Sequence, residues 1–187
     1  MPTYGIVVEG DYDSAALPEI IKKCLSSDIE IIARPCGDKS QLMKKFPGFL
    51  EAFRYAKGGA PVDKALVIRD ADNKNPDELL KKMKSKIAGR NYLDFEVKFI
   101  IIVQELETWL LADENAISKV SGKTVSRVNE DLESISHPKE KLWDILSVAG
   151  LPYTAEVARK IAKESDIFRI ENRCPKFKEF KQAVIDC

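Results

Sequence analysis

One histidine, His137, is the only imidazole in 187 residues, and it stands in a polar stretch just before Pro138. A Ser-His-Asp triad or a histidine-rich metal site would have to be built around that single ring. Chemistry in this chain therefore has to run on carboxylates, lysines and arginines. Cysteine is nearly as scarce. Cys24, Cys36, Cys174 and Cys187 show no C-x-x-C spacing, which predicts scattered reduced thiols in place of a zinc site or disulfide framework. Charge of one sign is missing too: 30 basic residues balance 30 acidic ones. No global field gathers a polyanion, so a nucleic-acid substrate would have to be drawn in by a local patch or a bound cation. Long apolar runs are also absent. The most apolar stretch, residues 99–103 (FIIIV), is far too short to span a bilayer. The opening MPTYGIVVEGD has neither a basic n-region nor an apolar segment of leader length. Together these predict a cytoplasmic protein with no membrane contact.

What is present suits one folded unit large enough to bury a core without staples, at 44% hydrophobic and 32% charged residues. Short β-rich runs alternate with amphipathic segments over the first hundred residues. Strands are predicted at 4–8 (YGIVV), 29–33 (IEIIA), 65–68 (ALVI) and 97–103 (VKFIIIV). Between them, helices are predicted at 14–25, at 39–55 with a bend or interruption at Pro47-Gly48, and from Pro76 to about residue 87. Continuous apolar strands separated by helices predict an α/β fold with a four-stranded, mainly parallel sheet flanked by helices. After Asp113 the pattern turns helical, with segments near 114–119, 138–149, 154–163 and 175–185 and a polar loop at 122–136. The expected organisation is an α/β core at 1–113 and a helical extension at 114–187 packed on it.

Three of the four strands end in acid: Glu9 after the first, Asp70 and Asp72 after the third, Glu105 after the fourth. In open parallel sheets ligands bind beyond the carboxyl ends of the strands. Carboxylates gathered there repel one another unless a cation neutralises them, and all-oxygen ligands favour Mg²⁺ or Mn²⁺ over zinc. Asp70 and Asp72 are two apart, so in an extended segment both point to one side. Taken by itself, D-x-D is also what a polar loop capping the next helix looks like.

IVVEGDYD at 6–13 and LVIRDAD at 66–72 resemble the two motifs of the toprim domain, found in topoisomerases, bacterial primases and several nucleases, among them the overcoming-lysogenization-defect type. The resemblance covers residues 4–113 and implies a Rossmann-like sheet. It also implies phosphodiester chemistry, with Glu9 as general acid/base or metal ligand and with Asp70 and Asp72 holding Mg²⁺. Asp13 matches an acidic position of some nuclease-type members, as a ligand to a second ion; a first-turn helix acid is the alternative. QELETWLLAD at 104–113 resembles an uncharacterised group of stand-alone bacterial toprim-like proteins with an E-x-E-x-W-x-L-A-D run, a resemblance that implies a role in defence or in mobile-element biology. None of Tyr4, Tyr12, Tyr55, Tyr92 or Tyr153 stands in a topoisomerase-like nucleophile context, and no primase zinc module is present.

A metal-dependent nuclease, with water as nucleophile, is therefore the toprim chemistry that needs fewest missing parts. The alternative is a catalytically silent module that binds nucleotide or nucleic acid, or serves as partner subunit of a defence ATPase. A receiver-like or phosphatase-like enzyme would carry its key aspartate after the first strand, where this chain has Glu9. Among the cations, Arg69 is expected either to meet a phosphate or to pair with a nearby carboxylate. Arg173 and Lys176 would reach a bound phosphate if the last helix folds back. Lys81, Lys82, Lys84 and Lys86 look like a nucleic-acid patch, but on a helix they spread over much of the circumference and read rather as a solvated face. Trp109 is expected in the core. If a helix starts near Glu105, that acid faces the site and Glu107, about 200° further round, faces away.

Overall fold

Tyr4, Ile6 and Val8 alternate with Gly5 and Val7 along the first strand, and every one of these positions is buried. A strand wet on one face would place polar groups at every second position, so this strand must be covered on both sides. The third strand behaves alike over residues 64–69. The computed structural model describes residues 1–25, 28–90 and 93–186; Cys187 and Tyr92, considered above, lie outside the described residues. The described cysteines, Cys24, Cys36 and Cys174, are buried free thiols.

Strands β1 (Thr3–Val8), β2 (Glu30–Pro35), β3 (Lys64–Asp70) and β4 (Glu96–Ile102) form one sheet in the order β2-β1-β3-β4. All three pairings are parallel, so the fold is α/β with an entirely parallel four-stranded sheet. Helices α2 (Lys39–Phe53) and α3 (Pro76–Lys86) cover one face, where Phe46, Phe53 and Met83 pack on Val7, Ala65 and Val67. Helix α1 (Asp11–Leu25) covers the other, with Leu17 and Ile20 against Ile6, Val8, Leu66 and Ile68. From β1 the chain goes to β2 on one side, then crosses back past β1 to β3 on the other. The β1–β3 junction is therefore the point where strand order reverses, and there the carboxyl ends open a crevice.

The rest of the chain is helical: α4 (Glu107–Leu110), α5 (Glu114–Ser121), a 3₁₀ turn at Leu132–Ser134, then α6 (Pro138–Val148), α7 (Ala155–Glu164), α8 (Ile167–Arg173) and α9 (Phe177–Ile185). Helix α7 packs along α1, and α9 touches α1 and β4. Ile161, Phe177 and Phe180 share one buried cluster with Ile6, Leu66 and Ile102, so the helical extension completes the core on the α1 face. Trp109 lies inside it, 4.9 Å from Phe177 and 4.7 Å from Phe180 between ring centroids. Among the described residues, no helix is long and apolar enough to cross a membrane.

Some local expectations change. Helix α2 runs unbroken through Pro47-Gly48, because buried Leu42, Phe46, Leu50 and Phe53 clamp it to the sheet on both sides of the proline. Their packing outweighs the lost N–H and the clash of the ring. The short helix α8 was not anticipated; within 122–136, Val128 and Leu132 are buried in an otherwise polar segment.

Gly5 shows how close the α2 face packs. A Cβ there would stand 2.5 Å from the Phe53 ring. Gly5→Ala should cost about 1–3 kcal/mol through overpacking, read by urea unfolding, and adding Phe53→Leu should recover part of the loss.

Candidate metal centre

Continuing the β1–β3 register two residues past Val7↔Val67 sets Glu9 beside Arg69. Their Oε1 and Nε atoms lie 3.7 Å apart, an ion contact without a hydrogen bond, and both atoms are buried with no hydrogen-bond partner. Beyond this pair the chain makes unusual turns. Asp72 and Asn73 have φ of 47° and 61°, and Gln104, just after β4, has 64°. Left-handed backbone is tolerated by Asp and Asn more than by most residues and still stores strain. The extended geometry expected for Asp70-Ala71-Asp72 therefore stops at the strand end. Asp72 reaches the crevice by a left-handed turn, with its N–H donating to the Gln104 carbonyl at 3.3 Å.

The result is a cavity of about 290 Å³ at the carboxyl edge, lined by Glu9, Asp13, Asp70, Asp72, Glu105 and Glu107, with Asp38, Lys39 and Lys139 at its walls. All five acids expected at the site, Glu9, Asp13, Asp70, Asp72 and Glu105, are brought together. Asp13 serves the first turn of α1 as well, its Oδ2 accepting the Gly10 N–H at 3.0 Å. Arg69 touches Glu9 as a paired strand-end cation. Arg173 and Lys176 are elsewhere. Arg173 donates to the carbonyls of Leu111, Ala112 and Val128 and sits 3.6 Å from Glu114. Lys176 pairs with Glu179 at 2.8 Å and lines a different groove, with Phe99 and Phe180. The last helix does fold back, but onto the β4 side of the sheet, which carries Lys176 away from the acids.

Glu107 does not face away. The turn at Gln104 delays the helix to Glu107–Leu110, so the rotation expected from a start at Glu105 does not apply. Glu107 is 3% exposed and accepts the Tyr153 hydroxyl at 2.8 Å. Glu105 instead accepts the backbone N–H of Lys139 at 3.0 Å. It thereby caps α6, whose own N-cap residue, His137, makes no side-chain cap bond. Asp113 caps α5 and also accepts the Asp166 N–H at 2.9 Å. The 104–113 run thus ties the sheet to the helical extension at Glu105, Trp109 and Asp113.

Lys39 and Lys139 are functional-site residues that sequence reasoning missed. Lys39 follows Gly37, whose φ of 110° suits glycine, and bonds Asp72 Oδ2 at 2.9 Å. Lys139 comes from α6, with its ammonium 3.9 Å from Glu107 Oε1 and 3.9 Å from the centre of the Tyr12 ring. Tyr12 in turn packs on Tyr153 at 5.0 Å. Nothing local in the sequence marks Lys139 or Tyr153, which arrive from the extension.

Burial first, and neighbouring charges after it, shift the protonation of several of these acids. Burial, then the Asp13 and Asp72 charges, push Glu9 up to about 7 against the opposing pull of Arg69 and the Asp70 backbone N–H. Burial likewise raises Glu107 to about 7, although Lys139 and the Tyr153 hydroxyl pull it down. Asp70 lies well above the ordinary carboxylate range through burial and then through Asp13, Glu9, Glu107 and Asp72. Burial raises Asp13 as well.

The donor set is all oxygen, and Glu9 Oε1 is an orphaned acceptor inside it, which fits a hard divalent ion. Among the described residues, no three His, Cys, Asp or Glu side chains are already gathered into an ion cage. Mg²⁺ needs only one or two carboxylates and keeps several waters, so the residues present fit it.

An α/β protein with a carboxylate-lined crevice at its strand-order switch is the class these features define. The chain belongs to the family described as a domain of unknown function (DUF4276), whose profile matches residues 8–185. No curated protein and no solved structure matches it.

The raised carboxylates carry a stability signature. Between about 4.5 and 7 the unfolded chain has lost the Glu9 and Glu107 protons while the folded protein still holds them. The folded state then binds more protons, so stability falls as pH rises through that window. Chemical unfolding at stepped pH in chelator should show this decline, and Glu9→Gln with Glu107→Gln should flatten it.

Proposed function

We propose that this crevice binds Mg²⁺ or Mn²⁺ and acts on phosphodiesters as a toprim-type, metal-dependent nuclease of the cytoplasm. The observation that carries the reading is the buried Glu9 Oε1, which has no hydrogen-bond partner among the described residues, on a residue lining a cavity that Asp13, Asp70, Asp72, Glu105 and Glu107 also line. Asp70 and Asp72 would hold the ion, with Asp13 or Glu107 at its outer side. When bound, the ion polarises a phosphate oxygen and neutralises charge developing on the leaving alkoxide. Glu9, poised near neutrality, is suited to take a proton from an attacking water and pass it on. Lys39 and Lys139 stand where a phosphate oxygen would meet a cation once Asp72 and Glu107 turn to the metal.

A second reading is a catalytically silent, toprim-derived module that binds nucleotide or nucleic acid, or acts as partner subunit of a defence ATPase. The closed Lys39–Asp72 pair at 2.9 Å favours it, since a protein cation already answers one of the key acids.

Mn²⁺ at about a hundred times its dissociation constant should stabilise the fold by about 2.7 kcal/mol, seen as a raised melting temperature. Asp70→Asn with Asp72→Asn should abolish that rise and lower oligonucleotide cleavage on the order of a hundredfold or more. Metal stabilisation without any cleavage supports the second reading. Glu107→Gln should weaken Mn²⁺ binding, whereas Glu105→Ala should cost about 1 kcal/mol as a lost cap and leave Mn²⁺ affinity near the parent's.

A further inference from the structure

On the other side of Lys39 from the acidic crevice lies a groove of opposite charge. It has a volume of about 460 Å³ and is lined by Lys39, Lys44, Arg69, Lys74, Lys82 and Lys86 with no carboxylate among its lining residues. Three separate stretches supply these cations: the start of α2, the end of β3 with the turn after it, and α3. Lys44, Lys74, Lys82 and Lys86 are exposed, and none forms an ion pair with a described carboxylate within 4 Å. Arg69 is 6% exposed, and its Nε has no hydrogen-bond partner. In a chain with no net charge, four exposed lysines without an ion pair among the described residues, beside Lys39 and Arg69 whose acids Asp72 and Glu9 line the crevice, are a strong local concentration of positive charge.

We propose that this groove is a track for the phosphodiester backbone of a nucleic-acid strand, leading past Lys39 into the acidic crevice. Lys39 lines both cavities, so a strand lying in the groove reaches the carboxylates without leaving the protein surface. Lys82 and Lys86 are one turn apart on α3, about 6 Å along its axis, and Lys74 and Lys44 stand on other elements. Charges distributed in this way suit successive phosphates of an extended chain better than one phosphate group. A concave channel between helices also admits a strand and not the plane of a bilayer. The dispersed lysines of α3, which look like a solvated face when the helix is taken by itself, acquire a direction once α2 and the β3 end stand beside them.

The track rests on the phosphodiester reading of the crevice, yet it is testable without metal. Fluorescence anisotropy of the full chain with a labelled single-stranded oligonucleotide in chelator, at about 50 mM salt, reads the groove alone. Lys82→Glu with Lys86→Glu should weaken binding at least about tenfold and reduce the slope of log affinity against log salt by about 1.4, the single-strand value for two phosphate contacts. Lys44→Gln with Lys74→Gln, on the other walls, should weaken it in the same direction. Lys22→Glu with Lys178→Glu makes the same change in net charge on α1 and α9, across the sheet, and should leave affinity within about twofold. Absence of oligonucleotide binding by the parent chain overturns the track, as does equal loss in the groove and control variants. Sedimentation with anionic vesicles in place of oligonucleotide binding would also overturn it. Asp70→Asn separates the two readings: chelator-phase binding that survives in it, with no cleavage even by the parent, retains the track and rejects the nuclease.

Discussion

Like-charge crowding at the β1–β3 switch is the constraint around which the molecule is arranged. Carboxylates from the end of β1, the first turn of α1, the end of β3 and the β4–α4 connection open onto one cavity. Here burial, and then neighbouring charges, raise the pKa values of Glu9, Glu107, Asp13 and Asp70 above their ordinary range. Such a concentration opposes folding unless cations answer it. The protein supplies three within reach, Arg69 at Glu9, Lys39 at Asp72 and Lys139 at Glu107, but two of these contacts are only at 3.7 and 3.9 Å. The electrostatic compensation is incomplete from the protein's own side chains. Backbone strain falls at the same edge, in the left-handed turns of Asp72, Asn73 and Gln104. Strain persists where surrounding structure over-determines it, and it clusters at functional sites.

The helical extension is part of this edge and not an appendage to it. Lys139 and Tyr153 belong to α6 and to the segment before α7, and both contact Glu107. Glu105 holds the start of α6 by capping the Lys139 N–H, so the residue that fixes the helix also places the lysine beside the acids. Asp113 anchors α5 and the entry to α8, while Trp109 is locked by Phe177 and Phe180. A loss of packing in the extension would therefore reach the site through Lys139 and Tyr153 before it disturbed the strands.

How far this was legible in the sequence depended on how local the determinant is. The buried strands announce themselves as continuous apolar runs, and their acidic ends follow within one or two residues, so Glu9, Asp70 and Asp72 could be found. The path taken after a strand is not local. A left-handed residue at Gln104 carries no compositional mark, and with it Glu107 enters the cavity beside Glu105, which also caps α6. Arg173 and Lys176 were misplaced because helix order does not tell which side of the sheet the last helices cover. Lys39 and Lys139 lie far apart in the chain and meet only through tertiary packing. Helix α2 defied its proline because four buried apolar side chains hold it, an effect no propensity contains.

If the acids exist to meet a divalent ion, the ion must be found among them. A crystal of this protein soaked in Mn²⁺ and measured at the manganese edge tests that directly. The account predicts an anomalous peak within about 2.0–2.3 Å of carboxylate oxygens of Asp70 and Asp72, with Lys39 drawn off Asp72. A peak only at other acids, or none at saturating Mn²⁺ with the Lys39–Asp72 pair still closed, would contradict it.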